Sequence, residues 1–304
     1  QAALVEGAGY CRWTRVREIA EFARLMGFER VGLAHCPDMD REASLAAEYL
    51  RARDLVPVLP PTDSVCDPRG QAEHFAEQNT ALNVLSGMCV GHEAAFVKAS
   101  TVPATSLIAR DRRLRHNPAA ALYTSRGYLQ EELHGHWKEG DRPDHPGPRR
   151  TDLDTLLDVT RQAIEEETQP RSRLAEAMDL AHRLGVRHVG VSFCSGFREE
   201  ARLLWKVLTI NGFRVSSVCC KTGAIPKSSV GIQDQQQVRP GRPEMICNPL
   251  TQAELLNREQ VELAMVLGQC VGHDAATLKA LSAPAVCIVA KDRVLAHNTV
   301  AALY

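Results

Sequence analysis

Apolar positions along the chain follow two alternating spacings. The segment "SRLAEAMDLAHRLG" places apolar residues at helical intervals and stops at Gly185, whereas "HVGVSF" just after it is a β-branched and aromatic run of strand length. The alternation continues to "AVCIVA" near the C-terminus. Strands separated by helices of about ten residues are typical of parallel pairing with right-handed crossovers. The pattern predicts an α/β fold with a mostly parallel sheet between helices, a three-layer α/β/α arrangement.

The chain contains this domain twice. Residues 66–123 align with 247–304 without a gap, and 27 of the 58 positions are identical, including the phrases "CVGHEAA" and "CVGHDAA". Upstream, "LMGFERVGLAHC" aligns with "RLGVRHVGVSFC" at an offset of 158 instead of 181, so the second copy has 23 additional residues before Cys247. We therefore predict two tandem copies with about four strands each.

Composition suggests where the copies begin and end. The first repeat is predicted over 1–135 and the second over 151–304, because the segment between them, 136–150, is rich in Pro, Gly and charge and is typical of a linker. A helix is predicted after it, through "LDTLLDVTRQAIEEE". Fusion raises the effective concentration of two self-associating copies, so we expect the repeats to pack as a pseudo-dimer.

Bulk composition narrows the class of protein. Hydrophobic residues make up 44% and charged residues 24% of the chain, as in ordinary globular proteins. A formal net charge of -1 offers no electrostatic attraction for nucleic acid or an anionic membrane. Apolar runs are far shorter than the roughly 18–20 residues of a membrane span. We expect a cytoplasmic protein without a nucleic-acid or membrane partner.

Ten cysteines are many for such a chain. A chain of this length buries a core without disulfides, so metal binding or thiol chemistry explains them better. In an open parallel sheet the loops that leave the carboxyl ends of the strands share one edge, where ligands collect. Separate segments deliver thiols to that edge, and the predicted metal ligands are Cys194, Cys219 or Cys220, Cys247 and Cys270 in the second repeat and Cys36, Cys66 and Cys89 in the first.

A structural explanation exists for each cysteine, since a lone Cys at a strand end is often a small buried apolar residue. Several such strand ends within one repeat favour a site instead. Cys287 lies inside the last predicted strand and its counterpart is Ser106, so we interpret it as core packing. Cys11 has no counterpart and both explanations stay open for it.

Charged residues and histidines accompany the thiols. Lys221 follows the vicinal cysteines in "CCKTG", and a neighbouring cation favours the thiolate that soft metals require. His273 and its counterpart His92 either take part in chemistry or cap a helix, and His297 and His116 either touch a ligand or support a turn. The predicted catalytic residues are His273, Lys291 and Asp292, and the predicted cofactor-binding or substrate-binding residues are Lys221 and Arg293.

The second repeat is the better candidate for a working site. Its segment 221–246, with Gly, Pro, Ser and "QQQ", is either a lid or binding segment or a disordered surface excursion. The first repeat lacks the vicinal cysteines, the lysine and this long loop. It is therefore either a three-thiolate site or a degenerate copy kept for packing.

Long motifs in the second repeat resemble a known family. The phrases "GFRVSSVCCKTG", "CNPLTQAELLN", "GQCVGHDA" and "KDRVLAHN" closely resemble domain of unknown function 1847, whose members are cysteine-rich proteins of bacteria and archaea, often labelled metal-binding. The resemblance covers nearly all of 173–304 and, more weakly, 10–123. It implies a metal site but no particular reaction, and family members usually carry one such domain.

The leading hypothesis is an iron–sulfur protein with a [4Fe–4S] cluster on the thiols of the second repeat. Thiols on separate loops suit a cluster at an active site, and the compact spacing of ferredoxins is absent. With three thiolates bound, an open iron would act as a Lewis acid, His273 as general acid or base, and Lys291 or Arg293 would hold a small anionic substrate. Lyase, sulfur-transfer or reductive chemistry would fit, the last with a redox partner.

Two other hypotheses use the same thiols. Cysteines with a nearby histidine also suit tetrahedral zinc in a structural or regulatory role, although paired C-x₂-C knuckles are missing. Alternatively, Cys219 and Cys220 carry out thiol redox or sulfur-relay chemistry without a metal. The residues alone leave the three hypotheses open.

Overall fold

Two parallel sheets organise the chain in a computed structural model that describes residues 1–64, 66–135 and 151–304. The first sheet has four strands in the order β2-β1-β3-β4, all parallel to their neighbours. The second has the order β6-β5-β7-β8 and is also parallel throughout. The strands are β1 Arg30–Ala34, β2 Val56–Val58, β3 Leu82–Ser86 and β4 Ala104–Ile108, followed by β5 His188–Phe193, β6 Arg214–Cys219, β7 Leu263–Leu267 and β8 Ala285–Val289.

Helices connect the strands and pack against both sheets. Ser172 caps one of them in the second repeat through its side chain, and Gly185, with a φ of 68°, allows the chain to leave that helix for the next strand. The first repeat contains α1 Ala2–Gly9, α2 Arg15–Leu25, α3 Asp40–Arg51, α4 Pro68–Glu77, α5 Val90–Ala99, α6 Ala119–Thr124 and α7 Gln130–Leu133. The second contains α8 Leu153–Glu165, α9 Arg173–Arg183, α10 Arg198–Ile210, α11 Pro249–Arg258 and α12 His273–Ala280.

The predicted fold class is confirmed: two tandem α/β copies, each with four parallel strands, have the same strand order. In both sheets the first strand lies between the second and the third, so the chain changes direction across the sheet beside the first strand. Open α/β sheets bind ligands at such a switch point, outside the carboxyl ends of the strands. Cys36 and Cys89 follow β1 and β3, and Cys194 and Cys270 occupy the equivalent positions after β5 and β7.

The two repeats are joined by reciprocal buried ion pairs. Arg15 of the first repeat meets Asp274 of the second at 2.5 Å, and Arg173 of the second meets Glu93 of the first at 2.6 Å. All four side chains are almost completely buried. Around these pairs α5 packs on β8 and α12 packs on β4. Arg15 and Arg173 are equivalent at the offset of 158, so the contacts obey the sequence repeat.

The leading helix of each repeat lies over the other repeat. A Cβ added at Gly272 would come within 2.8 Å of the Ala2 Cβ in α1, and one added at Gly91 within 2.1 Å of the Thr160 Oγ1 in α8. A side chain at either position would overlap side-chain atoms of the other helix, and Gly272 also has a φ of 81°, which favours glycine. Helices α1 and α8 are therefore exchanged between the repeats.

The structure also bears on the cysteines, on segment 221–246 and on the absence of predicted membrane spans. All ten cysteines are free. Segment 221–246 contains two short 3₁₀ turns and an antiparallel bridge between Pro226 and Met245. The predicted linker, 136–150, lies outside the described residues. Among the described helices, none combines the length and the apolar character that crossing a membrane requires.

Candidate metal centres at the carboxyl edges of the two sheets

Four buried thiols of the second repeat form a row. The Sγ atoms of Cys247 and Cys220 are 3.5 Å apart, and Cys194 lies close enough to Cys220 to lower the pKa of that thiol. Cys194 also lies close enough to Cys270 to raise its pKa, which gives the order Cys270, Cys194, Cys220, Cys247. These residues lie far apart in the chain, so the fold itself gathers their sulfur atoms.

Backbone hydrogen bonds hold the loops that carry the thiols. The Cys220 N–H donates to the Phe193 carbonyl at 2.9 Å, and the Asn248 N–H donates to the Cys220 carbonyl at 2.8 Å. Asn248 also caps α11 through its side chain. The loop after β6 is thus attached to β5 on one side and to the start of α11 on the other, which brings Cys220 beside Cys247.

Three cations contact the row. The Lys291 Nζ lies 2.7 Å from the Cys194 Sγ and 3.5 Å from the Cys270 Sγ. The Arg293 Nη2 lies 3.0 Å from the Cys270 Sγ, and the Lys221 Nζ lies 3.3 Å from the Cys247 Sγ. These positive charges favour thiolates, the form in which cysteine binds metals.

Burial acts in the opposite direction on the thiols themselves. A hydrogen bond with Cys194 and burial raise the pKa of Cys270 to about 12, despite the nearby Lys291. A hydrogen bond with Cys194 lowers the pKa of Cys220, but the contact with Cys247 and burial outweigh it and raise this pKa to about 12. Without a metal, these two thiols therefore keep their protons at neutral pH, and metal binding would release them.

Glu6 of α1 belongs to the same centre, although the sequence did not single it out. Its Oε1 accepts a hydrogen bond from Arg293 at 3.0 Å and lies 3.4 Å from the Cys270 Sγ. Burial raises the pKa of Glu6, but His273, Arg293 and other cations outweigh burial and bring it to about 2. Glu6 lies in α1, outside the segments that the repeat aligns, and it reaches the thiols only because α1 contacts the other repeat.

The remaining predicted site residues of the second repeat take different positions. His273 is buried at the start of α12, and its Nδ1 has no hydrogen-bond partner among the described residues. The Asp292 carboxylate accepts hydrogen bonds from the backbone N–H groups of Arg15, Val294 and Leu295, so it holds a turn and the repeat interface. Cys219 is half-buried and packs against the hydrophobic core.

A cavity of about 310 Å³ adjoins this centre. Glu6, Tyr10 and Ser195 line one side, and segment 221–246 lines the other with both cationic and acidic groups. Lys227 there is buried against Glu244 at 2.7 Å. The cations in its lining are Lys221, Lys227, Arg239 and Arg242, against the carboxylates of Glu6 and Glu244.

A tighter group lies at the matching edge of the first sheet. Within residues 1–64, 66–135 and 151–304, Cys36, Cys89 and His92 form the one group of three metal-binding side chains whose ligand atoms all lie within 4.8 Å of one another. All three are buried. Cys66, which we also predicted as a ligand, is exposed and lines the cavity in front of them. The first repeat can therefore hold a metal ion.

Local geometry explains why this group is compact. The Cys89 N–H donates to the Cys36 Sγ at 3.4 Å, and His92 follows Cys89 on the first turn of α5, with its Nδ1 3.5 Å from the Cys36 Sγ. A hydrogen bond with Cys36 lowers the pKa of Cys89 well below its usual range in spite of burial, and His92 lowers it further. Residues three apart on a helix share a face, which places the thiol and the imidazole together.

One buried glutamate lies beside each centre, at equivalent positions of the two repeats, and both should make the free energy of unfolding depend on pH. Burial raises the pKa of Glu18, near Arg293, and that of Glu176, near Arg112, from 4.5 to about 7. The folded state thus holds these protons more tightly, so the associated stability is present below pH 4.5 and lost as the pH rises through about 7. We expect each to cost the metal-free protein about 3 kcal/mol between these limits.

Urea unfolding of metal-free Glu18→Gln across this pH range checks the expectation. The difference in unfolding free energy between wild type and variant should change with pH by about this amount. Substitution of the exposed Glu165 by glutamine is the control and should leave the pH profile unchanged. Parallel profiles for wild type and Glu18→Gln would contradict the assignment.

Two doubly wound parallel sheets with thiols gathered at their carboxyl edges define the class: a cysteine-rich α/β protein with candidate metal centres. The chain belongs to the family described as protein of unknown function (DUF1847), whose family model matches residues 1–59, 58–107 and 152–288. The resemblance seen in the sequence motifs is thereby confirmed, and the matches in both halves agree with the tandem duplication.

Individual relatives add little to the chemistry. An uncharacterised protein of Methanocaldococcus jannaschii is 37% identical over 134 residues, which is 44% of this chain and 67% of that protein. Dph2 from Pyrococcus horikoshii is similar in structure with a TM-score of 0.29 and 14% identity over 90% of this chain and 88% of that one. The Dph2 structure with a 4Fe-4S cluster gives 0.27 and 13% over 91% and 89%. At such TM-scores, no residue or cofactor is transferred to this chain.

Proposed function

We propose that the second repeat binds an iron–sulfur cluster through Cys194, Cys220, Cys247 and Cys270 and uses it on a small anionic molecule. The observation that carries the proposal is the row of four buried thiols, brought to the switch point of the second sheet by the loops after β5 and β7 and by both ends of the connection between β6 and α11. Soft thiolate ligands select iron–sulfur clusters, zinc or copper(I). The extent of the row bears on the choice among these.

The row is too long for a single ion. Four thiolates around one zinc at about 2.3 Å place every pair of sulfurs within about 4 Å. In the described part of the second repeat, by contrast, no three of the thiols lie within 4.8 Å of one another, although neighbours touch. A group with several irons, held by ligands on separate loops, suits such a spread better.

Charges around the row suit the same group. A cluster with four thiolates is anionic, and Lys291, Arg293 and Lys221 surround these sulfurs. The free Nδ1 of buried His273 provides a proton acceptor or donor near Cys270. When bound through four thiolates, an iron–sulfur cluster would supply electron transfer.

The adjoining cavity is the proposed substrate site. Lys291 and Arg293, which we expected to hold the substrate, are instead engaged with thiols and carboxylates. Arg239 and Arg242 are exposed at the cavity and are the cations we assign to an anionic substrate. Segment 221–246 would then act as the binding segment of the second repeat, and Lys221 would join it to the cluster.

The proposal also covers the cellular compartment, the redox partner and the packing of the two repeats. Ten free thiols suit a reducing compartment, so we assign the protein to the cytoplasm. Electron transfer would need a redox partner, while the reciprocal pairs Arg15–Asp274 and Arg173–Glu93 support the interpretation of the two repeats as a pseudo-dimer.

A second candidate is metal-free dithiol chemistry. It is favoured by the 3.5 Å separation of the Cys220 and Cys247 sulfurs, which is short enough for a disulfide to form after a small movement. In this alternative Lys221, 3.3 Å from the Cys247 Sγ, would activate the attacking thiolate.

Anaerobic purification followed by iron, zinc and labile-sulfide analysis tests the proposal. We expect about four irons and four sulfides per chain after reconstitution. If the protein contains zinc and no iron, and Cys89→Ser protein retains that zinc, the proposed cluster is wrong and the second repeat holds a zinc site instead. Metal-free protein that forms a Cys220–Cys247 disulfide on mild oxidation would establish the dithiol candidate instead.

A further inference from the structure

The first repeat has a ligand set of a different kind from that of the second. Cys36, Cys89 and His92 lie within 4.8 Å of one another, close enough for all three to reach one ion. Two thiolates and an imidazole are donors that suit zinc, and sites in which zinc acts on a ligand have three protein ligands and one free position. The set therefore has the composition of an open site for a single ion.

A cleft of about 150 Å³ lies in front of these ligands. Its far walls come from the other repeat, with an apolar part formed by Thr160, Ala163 and Ile164 on α8 and Leu180 on α9. The charged part is Glu167, Arg171, Glu176 and Asp179, whose carboxylates pair with Arg112 or Arg171. Val90 and Pro37 extend the apolar lining on the near side. A cavity of this volume accommodates a ring as large as benzene. The cleft is thus suited to the apolar part of a small organic molecule.

Arg110 lines the cleft and carries an unused hydrogen-bond donor. The residue is 8% exposed, and its Nη2 pairs with Asp38 at 2.7 Å. Its Nε is buried and has no hydrogen-bond partner among the described residues. A buried donor without a partner costs about 1–3 kcal/mol. An anionic group that reached this nitrogen from the cleft would remove that cost, and this is the feature that points to the class of ligand.

The equivalent position of the second repeat is filled. At the offset of 158 Ile164 corresponds to Glu6, whose carboxylate contacts Arg293 and Cys270. At the offset of 181 Arg110 corresponds to Lys291, whose Nζ contacts two thiols. The second repeat thus places its own carboxylate and cation where the first has an apolar wall and a free guanidinium donor.

We propose that the first repeat binds one zinc-type divalent ion through Cys36, Cys89 and His92, and that its cleft admits a small organic anion to the free position of that ion. The apolar part of the anion lies against Ile164 and Leu180, and its charged group accepts a hydrogen bond from the Arg110 Nε. This site does not depend on the cluster of the second repeat.

Cobalt(II), a spectroscopic substitute for zinc, and benzoate, an aromatic carboxylate of suitable size, test the proposal. Metal-free full-length protein is titrated with cobalt(II), and the part of the visible spectrum that Cys89→Ser removes is assigned to this site. Benzoate should change that part saturably, and benzyl alcohol, its neutral analogue, should not.

Three substitutions separate the ion from its ligand. Arg110→Met should weaken benzoate binding about tenfold or more with cobalt still bound, because a charge-assisted hydrogen bond is lost. Ile164→Glu, which reproduces the second repeat, should abolish the benzoate response with cobalt still bound. Arg258→Met, on the exposed face of α11, is the control and should behave as wild type.

Other results would overturn the proposal. A cobalt spectrum that Cys89→Ser leaves unchanged would remove the ion from this site. A benzoate response equal in wild type and Arg110→Met would remove the anion from the cleft. A change in the benzoate-free cobalt spectrum on Cys66→Ser would show that Cys66 occupies the fourth position and that the site is closed.

Discussion

Substitution of Cys220 by serine is expected to remove nearly all the iron and sulfide that the reconstituted protein binds, whereas substitution of Cys219 is not. Cys220 stands between Cys194 and Cys247 in the thiol row, and the Ser195 N–H donates to its Sγ at 3.3 Å. A serine oxygen is a poor ligand for soft metals, and loss of a central ligand interrupts the row. Cys219 is the last residue of β6, and its half-buried side chain packs against the hydrophobic core.

The adjacent pair makes its own control. Cys219→Ser changes the same atoms one position earlier and should retain iron, sulfide and visible absorbance at the wild-type level. Circular dichroism of both variants establishes whether the fold is intact. Equal iron content in Cys220→Ser and wild type would exclude Cys220 as a ligand, and loss in Cys219→Ser alone would transfer the role to Cys219.

Replacement of Arg15 by methionine is expected to lower the free energy of unfolding by about 3–5 kcal/mol, because it leaves a buried carboxylate without its partner. The Arg15 guanidinium bonds Asp274 at 2.5 Å and also donates to the backbone carbonyls of Ser106 and Gln269, both at 2.8 Å. Those carbonyls belong to different repeats, so the effect includes the contact between them.

The repeat supplies a matched experiment. Arg173→Met removes the equivalent pair with Glu93 together with bonds to the carbonyls of Met88 and Arg110, and should destabilise to a similar degree. Arg214→Met breaks an exposed pair with Glu259 and should cost at most about 1 kcal/mol. Urea unfolding followed by fluorescence provides the comparison. Losses for Arg15→Met no larger than for Arg214→Met would refute the assignment.

Much of the fold follows from the sequence because its main determinants are local. Strand β5 is a short apolar run, α9 shows helical spacing with a serine cap and a glycine stop, and the duplication supports each assignment twice. Parallel pairing followed from the helices between strands. The exchange of α1 and α8 between repeats depends on tertiary packing that no periodicity records.

Only the part of the candidate site that follows from sheet topology was predictable from the sequence. Loops after β5 and β7 had to share an edge, and Cys194 and Cys270 lie there. The sequence could not predict which of Cys219 and Cys220 joins the thiol row, because the answer depends on the residue at which β6 ends. The partners of Lys291 and Arg293 were equally hidden, because a cation near a thiol and a cation facing a substrate have the same sequence signature.

The exchanged helices also constrain how the protein matures. On the ribosome, Glu6 emerges long before its partners Cys270 and Arg293, which follow it by most of the two repeats. Conversely, Cys36, Cys89 and His92 emerge well before α8, which walls their cleft. Metal delivered during synthesis would meet half-built centres open to water and oxygen. If both centres bind metal, the cleft of the first would be walled once α8 and α9 have emerged, whereas the second would be complete only after the second repeat has been made. We therefore expect the second centre to be loaded later than the first.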